Sequence, residues 1–166
     1  RILASARYPH QQELARELGA DEIIGGRQGM FESVMRETGA ESFQPEIGRP
    51  TVIGGVAKTF DCVGAGETID DALRLTDSRG TVAVVGMPGI PGGVDWTTIW
   101  YKELNVQGTY AYGTEIFQGQ SIRTFALALR LLETHGPRLR SLVTSHHPLK
   151  EYRTAIKHAI QAGAYG

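Results

Sequence analysis

The run TVAVVGM, residues 81–87, constrains the fold more than any other stretch of this chain. It is the most β-branched segment and is apolar at nearly every position, the pattern of a strand covered on both faces in a parallel sheet. Such a strand is expected at the centre of its sheet. Parallel neighbours need crossover connections long enough to hold a helix, so the rest of the chain should supply strands that alternate with helices.

The pattern is there. RILASA (1–6) is a short apolar strand, after which Pro9 opens a helix with Leu14, Ala15 and Leu18 on one face and Gly19 as its stop. DEIIG (21–25) repeats the strand signal, and Phe31, Val34 and Met35 mark one face of a short helix ending near Gly39. Pro45, Gly48, Pro50 and the Gly54-Gly55 pair then break the rhythm, so 40–57 reads as a long connection in which TVI adds one short strand. KTFDCVG (58–64) resumes as a strand, followed by a helix face of Ile69, Ala72, Leu73 and Thr76, with Gly80 ending the connection. A Pro/Gly-rich loop (88–93), a helical turn from Trp96 to Trp100, the strand NVQGTYA (105–111) and a helix carrying Ile122, Phe125, Ala126 and Leu129 complete the order. Strands alternating with helices imply βαβ units and an α/β, doubly wound parallel sheet.

Composition excludes several alternatives. With 166 residues, 41% hydrophobic and 21% charged, and a net charge of −1, the chain can bury the core of one ordinary domain and has no electrostatic bias toward nucleic acid or a membrane surface. Its single cysteine, Cys62, rules out an intrachain disulfide framework and cannot alone make a structural zinc site. A reducing, cytoplasmic setting fits. No signal-peptide pattern opens the chain, and no apolar run approaches the roughly 20 residues of a membrane helix. Beginning at Arg1 in mid-strand without a Met, it is expected to be a fragment of a longer chain.

The segments QELARELGADEII, FDCVG, RGTVAVVGMPG, KELNVQGTYAYG and LVTSHHPLKEYRTAI, in that order, resemble the cofactor domain of the medium-chain dehydrogenase/reductase family, the zinc-type alcohol dehydrogenases and their relatives. The resemblance covers most of the chain. It implies a Rossmann-type sheet of strand order 3-2-1-4-5-6, in which Arg1 stands at the start of the second strand and the first strand with its glycine-rich turn is missing. Residues 1–140 would then be a partial NAD(P)-binding domain, and 141–166 a segment returning toward a catalytic domain absent from this chain. The implied activity is hydride transfer between a nicotinamide cofactor and a small alcohol, aldehyde or ketone, in the intact parent and not in the fragment. Homo-oligomers through the edge strand 105–111 are implied as well. A catalytic zinc would have its ligands outside this chain, and zinc-independent quinone or enoyl reductases share the same cofactor domain.

The stretch FDCVGAGE poses the sharpest question, because a strand running into Gly64-Ala65-Gly66 and then a helix imitates a dinucleotide fingerprint. It departs from G-x-G-x-x-G at Ile69. Glu67, Asp70 and Asp71 near the helix start suit the helix dipole but repel a pyrophosphate, and Thr68 with Asp71 reads as a capping box. By resemblance, Val63 and Gly64 line the adenosine side of the cleft, as walls and not as phosphate anchors. Val85, Gly86 and Met87 would face the nicotinamide, and the Thr109, Tyr110 and Ala111 backbone would complete a clamp on its carboxamide.

At the end of the first visible strand, Ser5, Ala6 and Arg7 stand where NAD enzymes place a carboxylate for the ribose. An uncharged residue beside a guanidinium favours the 2′-phosphate of NADP over NAD. His10, at a helix start, reads as solvent-exposed. His146 and His147 are adjacent on an extended segment and point to opposite faces, which disfavours a shared metal. Cys62 reads as an inert thiol in the middle of a strand. Two other classes remain open. A methyltransferase using S-adenosylmethionine would need an acidic residue at the end of the next strand, where VVGMPG has none; a non-catalytic binding module would keep the fold alone.

Overall fold

The computed structural model describes residues 1–27 and 29–165, with side chains up to Gln161. In chain order the elements are β1 (Leu3–Ser5), α1 (Pro9–Glu17), β2 (Glu22–Ile24), α2 (Met30–Thr38), β3 (Glu41–Phe43), β4 (Thr51–Ile53), β5 (Val56–Asp61), α3 (Gly66–Leu75), β6 (Thr76–Val84) and α4 (Thr97–Tyr101). They continue with β7 (Asn105–Gly108), β8 (Thr114–Phe117), β9 (Gln120–Arg123), α5 (Thr124–Leu139) and α6 (Tyr152–Tyr165). The chain divides into two compact units, Arg1–Arg27 with Ala128–Gly166, and Gln28–Leu127.

The first unit contains a βαβ motif. β1 and β2 pair in parallel, Leu3 with Glu22 through Ser5 with Ile24, across the crossover helix α1. Pro9 takes the first position of α1, where its missing N–H costs nothing, and Leu14 and Ile24 are buried. The remainder of this unit is the end of α5, two 3₁₀ turns and α6. Gly166, the last residue of the segment 141–166, lies outside the described residues.

The second unit holds a three-stranded parallel sheet, β5-β6-β7, with β6 at its centre. The strand expected to be central therefore is. Ile69, Ala72 and Leu73 of α3 pack on Val82 and Leu104, joined by Val84, Val94 and Ile99. Only one face of the sheet is covered in this way. Val82 is fully buried, whereas Phe60, whose partner Ala83 is the next residue of β6 and so faces the other way, is 68% exposed. Coverage on both faces, expected from the unbroken apolar run, is not what the chain displays.

Other expectations need correcting. The parallel strands form a pair, β1-β2, in the first unit and the sheet β5-β6-β7 in the second, the latter with the neighbour order expected of the last three strands. The connection 40–57 contains an antiparallel hairpin, β3 with β4, so TVI has a partner that the sequence reading lacked. Ile122 is in a strand, not a helix: β8 and β9 form a second hairpin, turning at Gln118 and Gly119 with φ of 51° and 77°. β6 begins at Thr76, directly after α3, because four residues, 77–80, bulge out between the pairs Val56–Thr76 and Lys58–Thr81. Gly80 therefore sits inside the strand instead of ending a connection. β7 is an edge strand, but it stops at Gly108.

Candidate functional site

At the carboxyl end of the second unit's parallel sheet, two turns are bound to each other through their backbones. Asp61, the last residue of β5, is buried. Its carboxylate accepts from the Val63 N–H at 3.2 Å and the Gly64 N–H at 2.9 Å. Its carbonyl oxygen accepts from the N–H groups of Val85 and Gly86, both at 2.8 Å. Gly64 has φ +79°, and a Cβ there would stand 3.0 Å from the Met87 and Pro88 nitrogens. A Cβ on Gly86 would overlap the Gly64 nitrogen and the Val63 carbonyl carbon. Glycine is required because the two chains touch main chain to main chain. Val63, Gly64, Val85, Gly86 and Met87 are thus brought together, with the side chains of Val63, Val85 and Met87 exposed.

The third group adjoins them. The Thr109 N–H donates to the Val84 carbonyl at 3.1 Å, and its hydroxyl reaches the same oxygen at 3.4 Å. Thr109, Tyr110 and Ala111 are all exposed beyond the end of β7. Tyr110 packs edge-on to Tyr112, with centroids 5.2 Å apart, and Tyr112 stacks on Phe125 at 5.9 Å. Sequence reasoning missed this aromatic ladder, because it treated Phe125 only as one member of a helix face.

Gly66 is occupied with packing: a Cβ there would overlap the Gly92 carbonyl oxygen, so the 88–93 loop lies against the start of α3. The helix cap is set three residues earlier than expected, at Ala65. Thr68 Oγ1 accepts from the Ala65 N–H at 3.2 Å and donates to the Ala65 carbonyl at 3.0 Å, while Asp71 binds Arg49 at 2.7 Å. Asp70 and Asp71 are not helix-terminus charges either. Both are buried, and Arg49 bridges them at 2.5 and 2.7 Å. Arg74, also buried, binds Asp70 at 2.9 Å, Asp95 at 3.0 Å and the Arg49 carbonyl at 2.7 Å. Burial opposes the Arg74 charge, but Asp70 and then Asp95 outweigh it and push the guanidinium pKa up. Cys62 is exposed in the turn after β5, not enclosed in the strand. The strand ends one residue before it, because Asp61 turns the chain.

A pocket of about 830 Å³ in this unit lies elsewhere. Phe43, Ile47, Ile53, Trp100 and Tyr101 wall it, Asp70 and Arg74 line it, and none of the residues 63–64, 85–87 or 109–111 does. Its charges are spent on one another. An exposed apolar pocket without a free polar anchor is a weaker ligand site than its size suggests.

Ser5, Ala6 and Arg7 belong to the first unit. The Ser5 hydroxyl donates to the Gly26 carbonyl at 3.0 Å, and the Ala6 carbonyl accepts from Gln12 Nε2 at 3.0 Å. The Arg7 guanidinium lies 5.5 Å from the centre of the Tyr8 ring, which stacks on His10. His147 meets His158 of α6 at 3.3 Å, ring nitrogen to ring nitrogen. Among the described residues no three His, Cys, Asp or Glu side chains converge to hold a metal ion. Among the described residues no helix is long and apolar enough to cross a membrane.

Parallel strands with crossover helices, and glycine turns at the carboxyl ends of β5 and β6, define an α/β class of domain. The comparisons narrow the class. A sequence model of the zinc-binding dehydrogenases matches residues 1–133, and the chain belongs to that family. It is 24% identical over 157 residues to L-threonine 3-dehydrogenase of Legionella pneumophila (strain Corby), covering 95% of this chain and 39% of that protein. It is 26% identical to L-idonate 5-dehydrogenase of Vitis vinifera, over 92% of this chain and 37% of the relative. Among solved structures, AibC superposes with a TM-score of 0.67 at 26% identity, over 98% of this chain and 42% of that one. An alcohol dehydrogenase zinc-binding domain protein from Burkholderia ambifaria shares the fold with a TM-score of 0.62 at 23% identity, over 97% and 39% of the two chains. The chain thus spans about two fifths of the length of these relatives.

Proposed function

We propose that residues 1–140 supply part of the NAD(P)-binding domain of a dehydrogenase that moves hydride between a nicotinamide cofactor and a small alcohol, aldehyde or ketone. The observation that carries this reading is the backbone contact between the Val63-Gly64 and Val85-Gly86-Met87 turns at the carboxyl ends of parallel strands, in a chain of a dehydrogenase family. Ligands of open α/β sheets bind at that end. Val63 and Gly64 line the adenosine side, and Val85 to Met87 with Thr109 to Ala111 present backbone groups and exposed apolar side chains to the nicotinamide. Bound there, the dinucleotide would supply the hydride; the chain's own part is to orient the ring and shield one side of it from water. The β7 edge is the surface for pairing with a second copy.

Ser5, Ala6 and Arg7 read the adenosine ribose, and the absence of a carboxylate among them selects NADP. The test is titration of the full-length dehydrogenase with NADPH and NADH. Arg7→Ala should weaken NADPH by a charge-assisted hydrogen bond, about 1.5–3 kcal/mol, and leave NADH nearly unchanged. Equal losses for both cofactors, or none, would refute the assignment.

A further inference from the structure

We infer that Asp61 is a positioning residue for the dinucleotide: one buried carboxylate and its own carbonyl hold both cofactor-facing turns in register. The inference rests on the reading above and concerns a residue that touches no ligand itself. Asp61 is 5% exposed, and its side chain accepts from two successive main-chain N–H groups, Val63 and Gly64, with no cation against it. Through its carbonyl oxygen the same residue takes the next two donors, Val85 and Gly86, from the neighbouring turn. Four main-chain donors from two turns thus meet on a single residue. The apolar side chains of these turns contribute little packing of their own, since Val63, Val85 and Met87 are all exposed. Glycine at 64 and 86 permits the close approach, while Asp61 fixes its register.

The chemistry explains why this position is an aspartate. A carboxylate accepts on both oxygens, so each can take one N–H of the turn. Asparagine keeps one acceptor and turns an NH₂ toward a second N–H, which should leave one anchor and break the other. Alanine removes both and leaves the two part-buried N–H groups to find water, loosening the 63–64 turn while the bonds from Val85 and Gly86 to the carbonyl survive.

The experiment uses the full-length dehydrogenase as wild type, Asp61→Asn and Asp61→Ala. Hydrogen exchange by mass spectrometry is read on the peptides spanning 60–66 and 69–75, and NADPH and NADH titrations follow. Exchange should rise in the first peptide of each variant and not in the second, which reports α3. Dinucleotide affinity should fall on the order of tenfold in Asp61→Ala, equivalent to about 1.4 kcal/mol, and by less in Asp61→Asn. The cofactor KM should rise more than kcat falls. Affinity within twofold of wild type in both variants, or equal losses of exchange protection across both peptides, would overturn the inference. If Asp61→Ala does not fold, Asp61→Asn carries the same comparison. A wild type that binds neither dinucleotide would instead refute the functional reading on which the inference rests.

Discussion

Lys102 offers the most quantitative test of how this unit is held together. Its ammonium is buried beneath the carboxyl end of α3, where it donates to the carbonyls of Arg74 and Thr76 at 2.7 Å each. The last carbonyls of a helix lack partners within it, and a cation there also suits the dipole. Burial nevertheless dominates and, with help from the Arg74 charge and against the attraction of Asp77, lowers the pKa from 10.5 to about 8. In the unfolded chain the same amine would titrate near 10.4. Between about pH 8 and pH 10 the unfolded state therefore binds more protons than the folded state, and stability must rise with pH across that window. Below pH 8 both states are charged and the folded one bears the whole cost. A gap of about 2.5 pH units amounts to about 3 kcal/mol. The assay is urea unfolding at several pH values from 7 to 10.5, for wild type and Lys102→Met, taking the difference at each pH so that other titrating groups cancel. The wild type should gain on the variant by up to about 3 kcal/mol as pH rises. A flat difference, or a gain in the opposite direction, would refute the placement of a charged amine in this site.

Two further predictions test packing. Arg74→Met leaves the Asp70 carboxylate buried with only the partly exposed Arg49 and the Asp95 N–H as partners, and should cost about 3–5 kcal/mol in denaturant unfolding. A loss below 1 kcal/mol would mean that the ion cluster is solvated. Gly86→Ala drives a methyl group into the Gly64 nitrogen; the expected loss is about 1–3 kcal/mol, and a melting temperature equal to wild type would show that the two turns do not touch.

What could be read from the sequence follows the range of the forces involved. α1, α2, β5, β6 and β7 were legible because each carries its own periodicity or apolar run, and Pro9, Gly39 and the glycine turns punctuate them locally. The two hairpins were not. β3 reads Glu-Ser-Phe and β8 reads Thr-Glu-Ile-Phe, segments too short for a period to emerge, and each depends on a partner strand for its existence. The buried ion cluster was invisible for a similar reason. Asp70 and Asp71 look like ordinary helix charges until Arg49, more than twenty residues earlier, is folded against them.

The candidate site shows the same divide from the other side. Its glycines were found, because G-A-G after a strand is a local signal, but local reading could not say what each glycine is for. Gly64 and Gly86 admit one turn to another, and Gly66 admits the Gly92 carbonyl. The first turn of α3 carries Glu67, whose charge would oppose a bound anion. A glycine motif is thus the mark of close backbone approach in general, and the object approached must be found in the tertiary structure. Here that object is another turn of the same chain, and the residue that fixes the approach is the aspartate immediately before it. Asp61 belongs to the strand pattern by position and to the site by what it holds.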